Sequence, residues 1–383
     1  MIRTGLPAKR VTRWAATAAA LATTVGAGAA FATPALAAPV VPIPVPCSVT
    51  ALAAAIVLAP SDAILSLKTG CTYRLPLALP PINKNVTIQG NRDTITRSNN
   101  LQFTAITVNN AQLTINQLRI TDFNGNGNAP GALRNNGGTV IVTSTTFADN
   151  EGGNGGAVRN DQNGSFTATS STFSGNEADT SGGAFYNRGG AEATFNTTTF
   201  FNNEAPTGGA IYIDSGHVTT GGTSSATSAS TNFSSNEAFG SSGFGGAINN
   251  AGGVITTNWT NFTNNEASGT GGDAGALNND GGTSSVTNTG FSGNFAADDG
   301  GAIYTAKSLN LFSVNIAGNR AGDDGGGIFV DNGNTSLSKT IVSGNFAGGL
   351  GGGIRRAGGS VSLTNFSLVK ANFPSNCSGT PAC

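Results

Sequence analysis

The chain has 383 residues, of which 56 are glycine and only 10% are charged, well under the usual share of about 25%. The formal net charge is −1, and four of the 19 basic residues (Arg3, Lys9, Arg10, Arg13) fall within the first 13 positions, so the body is acidic and no nucleic-acid-binding surface is expected. Disorder is excluded for the body as well, because Phe, Ile and Val recur on a schedule that disordered chains lack.

Residues 1–37 read as a secretory signal peptide. Four positive charges precede an Ala-rich apolar run from Trp14 to Ala32, and Ala35-Leu36-Ala37 offers a small-x-small cleavage site. The run is barely long enough to span a bilayer and is rich in Ala and Thr, which argues against an anchor. No second apolar run follows, so no transmembrane segment is expected in the mature chain, and its place is secreted or extracellular. A Pro-rich linker, residues 38–46, comes next. A single domain is expected over 47–383, with an N-terminal cap at 47–84, regular coils at 131–372 and a C-terminal cap at 373–383. The cap opens on a short helix, Thr50 to Ile56, with Thr50 at its start. Ile64 to Leu67, Thr72 to Leu75 and Val86 to Ile88 read as early strands, and residues 101–145 as transitional coils.

From residue 147 a unit repeats: apolar-x-x-Asn, a loop, Gly-Gly-Ala-apolar, then a Ser/Thr-rich strand. The anchors are Phe147/Asn150, Phe173/Asn176, Phe200/Asn203, Phe233/Asn236, Phe262/Asn265, Phe291/Asn294, Ile316/Asn319, Val342/Asn345 and Val369/Asn372. The Asn residues are 25–29 apart, with one gap of 33, the spacing of a solenoid. The wide gap is assigned to a bulging loop from His217, the only histidine, to Ser230. Alternation in Ser165 to Ser170 places Phe166 and Ala168 inside and the Thr residues outside. Thr143, Thr145 and Thr287 are likewise expected to face out, Trp259 to sit in the core, and Tyr186 to be free to stack on a sugar ring. A single coil cannot bury its apolar face, so the expected fold is all-β: a right-handed parallel β-helix of about ten coils. The cysteines, Cys47, Cys71, Cys377 and Cys383, lie at the two ends. An even count in an exported chain points to disulfides. Local pairing, Cys47 with Cys71 and Cys377 with Cys383, is expected because a long solenoid holds its ends apart.

Aligning the Gly-Ala steps stacks Asp273, Asp299 and Asp324 in one column and Asp298 and Asp323 in a second. Carboxylates about 5 Å apart disfavour one another's ionisation, and oxygen ligands of this kind suit Ca²⁺. Glu151, Glu177, Glu204, Glu237 and Glu266, each one residue after a repeat Asn, form a solubilising stripe, and Arg134 and Arg159 are placed to pair with nearby acids.

The Gly-Gly-Ala-apolar and Phe-x-x-Asn signatures resemble the polymorphic outer-membrane-protein repeat over most of residues 131–372. Asn85 to Asn91 is similar to the opening coil of pectin-lyase-like proteins. The resemblance implies a parallel β-helix at the cell exterior with an adhesive role. Members that are autotransporters carry a C-terminal membrane barrel, and this sequence ends without one. The expected function is a non-catalytic structural or adhesive solenoid that binds polysaccharide or a cell-surface protein. A polysaccharide lyase or glycoside hydrolase is the alternative, and no catalytic residue stands out.

Overall fold

A computed structural model describes residues 41–223 and 229–379. The expected signal peptide and Cys383 lie outside the described residues. The chain winds as a parallel β-solenoid of about 13 turns. One turn shows the plan. Glu177–Ser181 belongs to an eight-stranded sheet, Phe185–Asn187 to an eleven-stranded sheet, and Glu192–Asn196 with Thr199–Phe201 to a bent 23-stranded sheet. Every pairing between turns is parallel, with register shifts only at Gly152/Asn154 and Gln89/Asp93 among the described strands; Ser165–Thr169, for one, lies in register between Thr139–Thr143 and Glu192–Asn196.

Period-2 alternation builds each strand. Phe166 and Ala168 are buried while Ser165, Thr167 and Thr169 stay partly exposed. Phe147, Phe173, Phe200, Phe233, Phe262 and Phe291 then stack through the core with ring centroids 4.6–5.0 Å apart and planes within 10°. The bend in the large sheet comes from one left-handed residue per coil, among them Ser144 (φ 50°), Ser170 (φ 50°) and Trp259 (φ 52°). Leaving the extended conformation for one residue inverts the in/out phase beyond it. Thr145, expected outside, is therefore buried, and Trp259, expected in the core, sits half-exposed at the corner.

Thirteen turns replace the expected ten because rows form before the marked repeat. Ile43–Val45, expected as linker, pairs with Leu65–Leu67, and Val86–Arg97 pairs with Gln112–Thr121. These rows carry Leu, Ile and Val inward but no Gly pair. The capping helix runs Val49–Leu58, and Ser48 rather than Thr50 is its N-cap, accepting from the Ala51 N–H at 3.4 Å. Leu52 and Ile56 bury against the first coil. The Cys47–Cys71 disulfide, with Cα atoms 5.7 Å apart, ties this helix down. Cys377 is disulfide-bonded too. His217, expected in a loop, opens the strand His217–Gly221 and lies exposed, its Nε2 3.2 Å from Thr256 Oγ1.

The expected Asn stack is continuous. From Asn150 to Asn372, each Nδ2 donates to the Oδ1 of the next Asn at 2.8–3.0 Å. The same Oδ1 accepts the backbone N–H of the preceding Asn, as Asn236 Oδ1 does from Asn203 at 3.1 Å. The backbone turns because the residue before each Asn is left-handed, for example Asn202 (φ 57°) and Gly293 (φ 65°).

The two glycines of each pair do different work. Gly182 holds φ 67°, which favours glycine. Gly183 does not, but a Cβ there would lie 2.3 Å from the Gly209 carbonyl oxygen of the next coil. Ala274 stands in the first position of its coil at φ 60°. Ala274→Gly is expected to stabilise the protein by about 1 kcal/mol, the cost of holding a Cβ in that region. A rise in the urea midpoint checks it; an unchanged or lower midpoint contradicts it.

Candidate functional site

The acidic columns assemble as the spacing implies, and they also serve the backbone. Asp273 Oδ1 accepts the Asp299 N–H at 3.1 Å, and Asp299 Oδ1 accepts the Asp324 N–H at 2.9 Å. Asp324 ends the column by accepting from the Leu350 N–H and pairing with Arg355 Nε at 3.0 Å. Beside it, carboxylate oxygens of Asp298, Asp299 and Asp323 lie within 4.8 Å of one another, a donor set that could hold a hard cation.

Burial pushes the Asp273 carboxyl up to about 7, and Asp299, Asp298 and Asp280 add to the rise against the opposing Asp299 N–H. Burial likewise pushes Asp299 up to about 7, aided by Asp298, Asp324 and Asp323 and opposed by the Asp324 N–H. Burial and then Asp323 and Asp324 raise Asp298. A carboxyl whose pKa is raised by folding stabilises the fold below its unfolded value near 4, and that contribution is lost as pH climbs through about 7. In EDTA, the melting temperature should therefore fall between pH 5 and pH 8. Asp273→Asn with Asp299→Asn keeps both Oδ1 acceptors and removes the charge, so the double variant should melt higher than the parent at pH 8. A parent that melts higher at pH 8 than at pH 5 would contradict this.

On the eleven-stranded sheet, the side chains that face away from the core form one row across the coils, and most of it is covered: Arg159, Tyr186, Asn249, Asn278 and Phe329 are 1–9% exposed. Thr107, Arg134 and Arg159 stand at one end of it and Arg355 and Ser378 at the other. Between them lie Tyr186, Tyr212, Asn249, Asn278, Tyr304 and Phe329. Tyr186 stacks on Tyr212 (5.3 Å, 2°) and Tyr304 on Phe329 (5.3 Å, 7°), while Asn278 Nδ2 donates to Asn249 Oδ1 at 3.0 Å. Tyr186, expected to offer its face to a sugar, has given one face to Tyr212. Arg134 and Arg159 do meet an acid: buried Asp161 lies 3.4 Å from Arg134, 2.9 Å from Arg159 and 3.4 Å from Arg188. Arg159 also lies over the Tyr186 ring. Asp214, Asp280 and Asp331 flank the row. Burial and then Asp214 raise the Tyr186 pKa, and burial, Asp214 and Asp280 raise that of Tyr212. Tyr304 is raised by burial and then by Asp331, Asp273, Asp280 and Asp299. These tyrosines stay neutral hydroxyl donors beside carboxylates.

The expected Glu stripe is in register from Glu151 to Glu266 along the eight-stranded sheet. Burial and neighbouring glutamates raise Glu204 and Glu266. Reading the sequence one residue at a time missed the outward row and two inner ladders. Asn135, Asn160 and Asn187 form one ladder, resumed at Asn250, Asn279 and Thr305. Buried hydroxyls of Ser171, Thr198, Thr231 and Thr340 form the other. The hydroxyl ladder has a visible signal, a Ser or Thr two residues before the core anchor.

The Chlamydia polymorphic membrane protein repeat matches residues 170–188, 197–214 and 291–306. Each of these stretches spans the elements described above, Phe-x-x-Asn turns or Gly-Gly-Ala strands. No curated protein and no solved structure matches the chain. Among the described residues, no helix is long and apolar enough to cross a membrane. With matched repeats on stacked parallel rows, the chain is a parallel β-helix protein with polymorphic-membrane-protein-like repeats.

Proposed function

We propose that this is a secreted, non-catalytic adhesive solenoid that presents its outward rows to glycan or protein at a cell surface. The repeat match and the parallel solenoid fit a surface-exposed adhesive protein, and the Cys47–Cys71 disulfide fits an oxidising exterior. The observation that carries the reading is the match of the polymorphic membrane protein repeat, laid on parallel coils that stack row on row. The Asp298, Asp299 and Asp323 cluster is proposed to take Ca²⁺ and tie adjacent coils. A rise in melting temperature with Ca²⁺ over EDTA is the expected result, and no change removes Ca²⁺ from the account.

One observation favours a second reading. Carboxyls held near neutral pH, Asp273 and Asp299, have the protonation a general acid needs, as in a glycoside hydrolase. The deciding experiment incubates the protein with plant and microbial polysaccharides and follows co-sedimentation, new reducing ends and unsaturated products. Binding without products is expected. Products lost in the Asp273→Asn and Asp299→Asn variants would make it an enzyme.

A further inference from the structure

We propose that the cleft at the corner of the 23-stranded sheet, between Trp259 and Lys339, binds a short oligosaccharide that ends in one carboxylate-bearing sugar. The inference rests on the adhesive reading and names its ligand class.

The cleft opens around one residue. Past the corner, one outward position is held on successive coils by Thr146, Thr172, Thr199, Asn232 and Asn261, then by Gly290, then by Asn315. Glycine inside a strand weakens it, and it marks a bulge, a tight bend or the close approach of a ligand or another backbone. Gly290 pairs in register with Asn261 and Asn315, so there is no bulge. Its φ lies outside the left-handed region, and a Cβ there would meet only Asn261 Oδ1, at 3.3 Å, with no backbone of a neighbouring coil within 4 Å. Of those reasons for a glycine, the approach of a ligand is the one left. The missing side chain leaves a cleft of about 340 Å³ on the corner side, adjoined by a second of about 490 Å³, and Asn261, Gly290 and Asn315 line both.

Trp259 and Lys339 stand at the two ends of the corner cleft, three coils and about 14 Å apart. Trp259 holds φ 52°, a conformation disfavoured for a bulky side chain. The ring is not buried in return: it stays partly exposed, and among the described residues its Nε1 has no partner. An indole offers a flat apolar face and one donor, which suits the C–H face and the edge oxygens of a pyranose.

Amides line the cleft from one end toward the other. Asn261 turns its Nδ2 to Ser230 Oγ at 2.9 Å and Asn232 Oδ1 at 3.1 Å, which leaves its Oδ1 at the notch over Gly290. Asn288 Nδ2 donates to Asn258 Oδ1 at 3.1 Å and leaves its own Oδ1 open. Asn315 is exposed, and its amide makes no hydrogen bond among the described residues. Sugar hydroxyls, which donate and accept, satisfy amides of both senses. Charge then selects among sugars. On this sheet, residues 254–263, 283–292, 309–317 and 334–343 carry no acid and one base, Lys339. Among the described residues no carboxylate pairs with Lys339, whose Nζ lies 5.2 Å over the Phe312 ring. A lone cation at one end matches a single anion at one end of the ligand. A polyuronate would carry further carboxylates past Trp259 and Asn261, where nothing offsets them, and a neutral glycan would leave Lys339 unused.

The test is calorimetric titration of the full chain with sialyllactose, a glucuronate-terminated trisaccharide, lactose, oligogalacturonate and oligoglutamate. At least one of the two acidic trisaccharides should bind, and the tighter of them names the source of the acidic sugar. Lactose should bind about tenfold more weakly, the worth of one charge-assisted hydrogen bond. Lys339→Gln should remove that preference, and added salt should narrow it. Trp259→Ala should lower affinity about tenfold. Gly290→Thr fills the notch and should lower affinity about tenfold as well, yet it should raise the melting temperature. Threonine already stands at this position on three earlier coils, and glycine weakens a strand. A loss of binding with a raised melting temperature separates the cleft from the stability of the fold. Equal binding of lactose, tighter binding of oligogalacturonate or of oligoglutamate, or affinity unmoved by Gly290→Thr or by Trp259→Ala overturns the proposal. Adhesion of the protein to a cell layer without binding of either acidic trisaccharide overturns it too, and leaves the adhesive reading standing.

Discussion

Asn236→Ala should destabilise the protein by about 3–5 kcal/mol, read as a lower urea midpoint. Asn236 is fully buried and uses its whole amide. Its Nδ2 donates to Phe200 O at 3.1 Å and to Asn265 Oδ1 at 2.8 Å, and its Oδ1 accepts from the N–H and the Nδ2 of Asn203 at 3.1 and 2.9 Å. Alanine leaves two donors of Asn203 without their acceptor where water cannot reach and strips the side-chain bond from the Phe200 carbonyl, and each orphan costs about 1–3 kcal/mol. Asn372, at the end of the stack, is partly exposed. There water can replace the lost bonds, and Asn372→Ala should cost about 1 kcal/mol. Equal costs at the two positions would show that the ladder contributes by something other than buried hydrogen bonding. Because stacked repeats can open locally, hydrogen exchange should place the Asn236 loss in the coils on either side of it.

Asp161→Asn should cost a similar amount, about 3–5 kcal/mol, through charge rather than through hydrogen-bond count. The carboxylate is 3% exposed and is the shared counterion of Arg134, Arg159 and Arg188, with Arg159 itself 9% exposed. Its Oδ1 also accepts from Arg159 Nε at 3.0 Å. The isosteric amide keeps the shape and strands a buried guanidinium. The comparison is Asp149→Asn. That acid pairs with Arg119 at 3.1 Å, but both side chains are about half exposed (58% and 44%), so its loss should cost about 0–1 kcal/mol. If Asp161→Asn is as mild as Asp149→Asn, the arginine cluster is more solvated than its burial implies.

The fold was legible wherever a residue type was forced on every coil. Phe173, Asn176 and the Gly182-Gly183 pair each meet their own copies one turn away, so the period stands out. Rows such as Gln112–Thr121 bury Leu113, Ile115, Leu118 and Ile120 in the same way. Any branched aliphatic fills that space, so nothing in them marks a coil, and the turn count came out low. Thr145 and Trp259 were misplaced for a different reason. Strand alternation is a local rule, and one left-handed residue resets its phase without leaving a unique letter: Ser144, Ser170, Trp259 and Asn288 all occupy that corner. The acidic columns were legible because Asp273, Asp299 and Asp324 keep a fixed offset from the Gly pairs. The outward row was not. Arg159, Tyr186, Asn249 and Phe329 share a position and no chemistry, and only the register between strands lines them up.

The Asn stack does not register how much chain lies between its members. Asn176 reaches Asn203 across 27 residues and Asn203 reaches Asn236 across 33, and both Nδ2–Oδ1 contacts are 2.9 Å. The extra residues fall between Gly221 and Ser230 in the sequence, and the next row resumes unshifted. Such a scaffold separates length of text from position of line. Foreign sequence placed at that margin should ride outside the rod while every row above and below keeps its address, so the surface can diversify without the spine being rewritten.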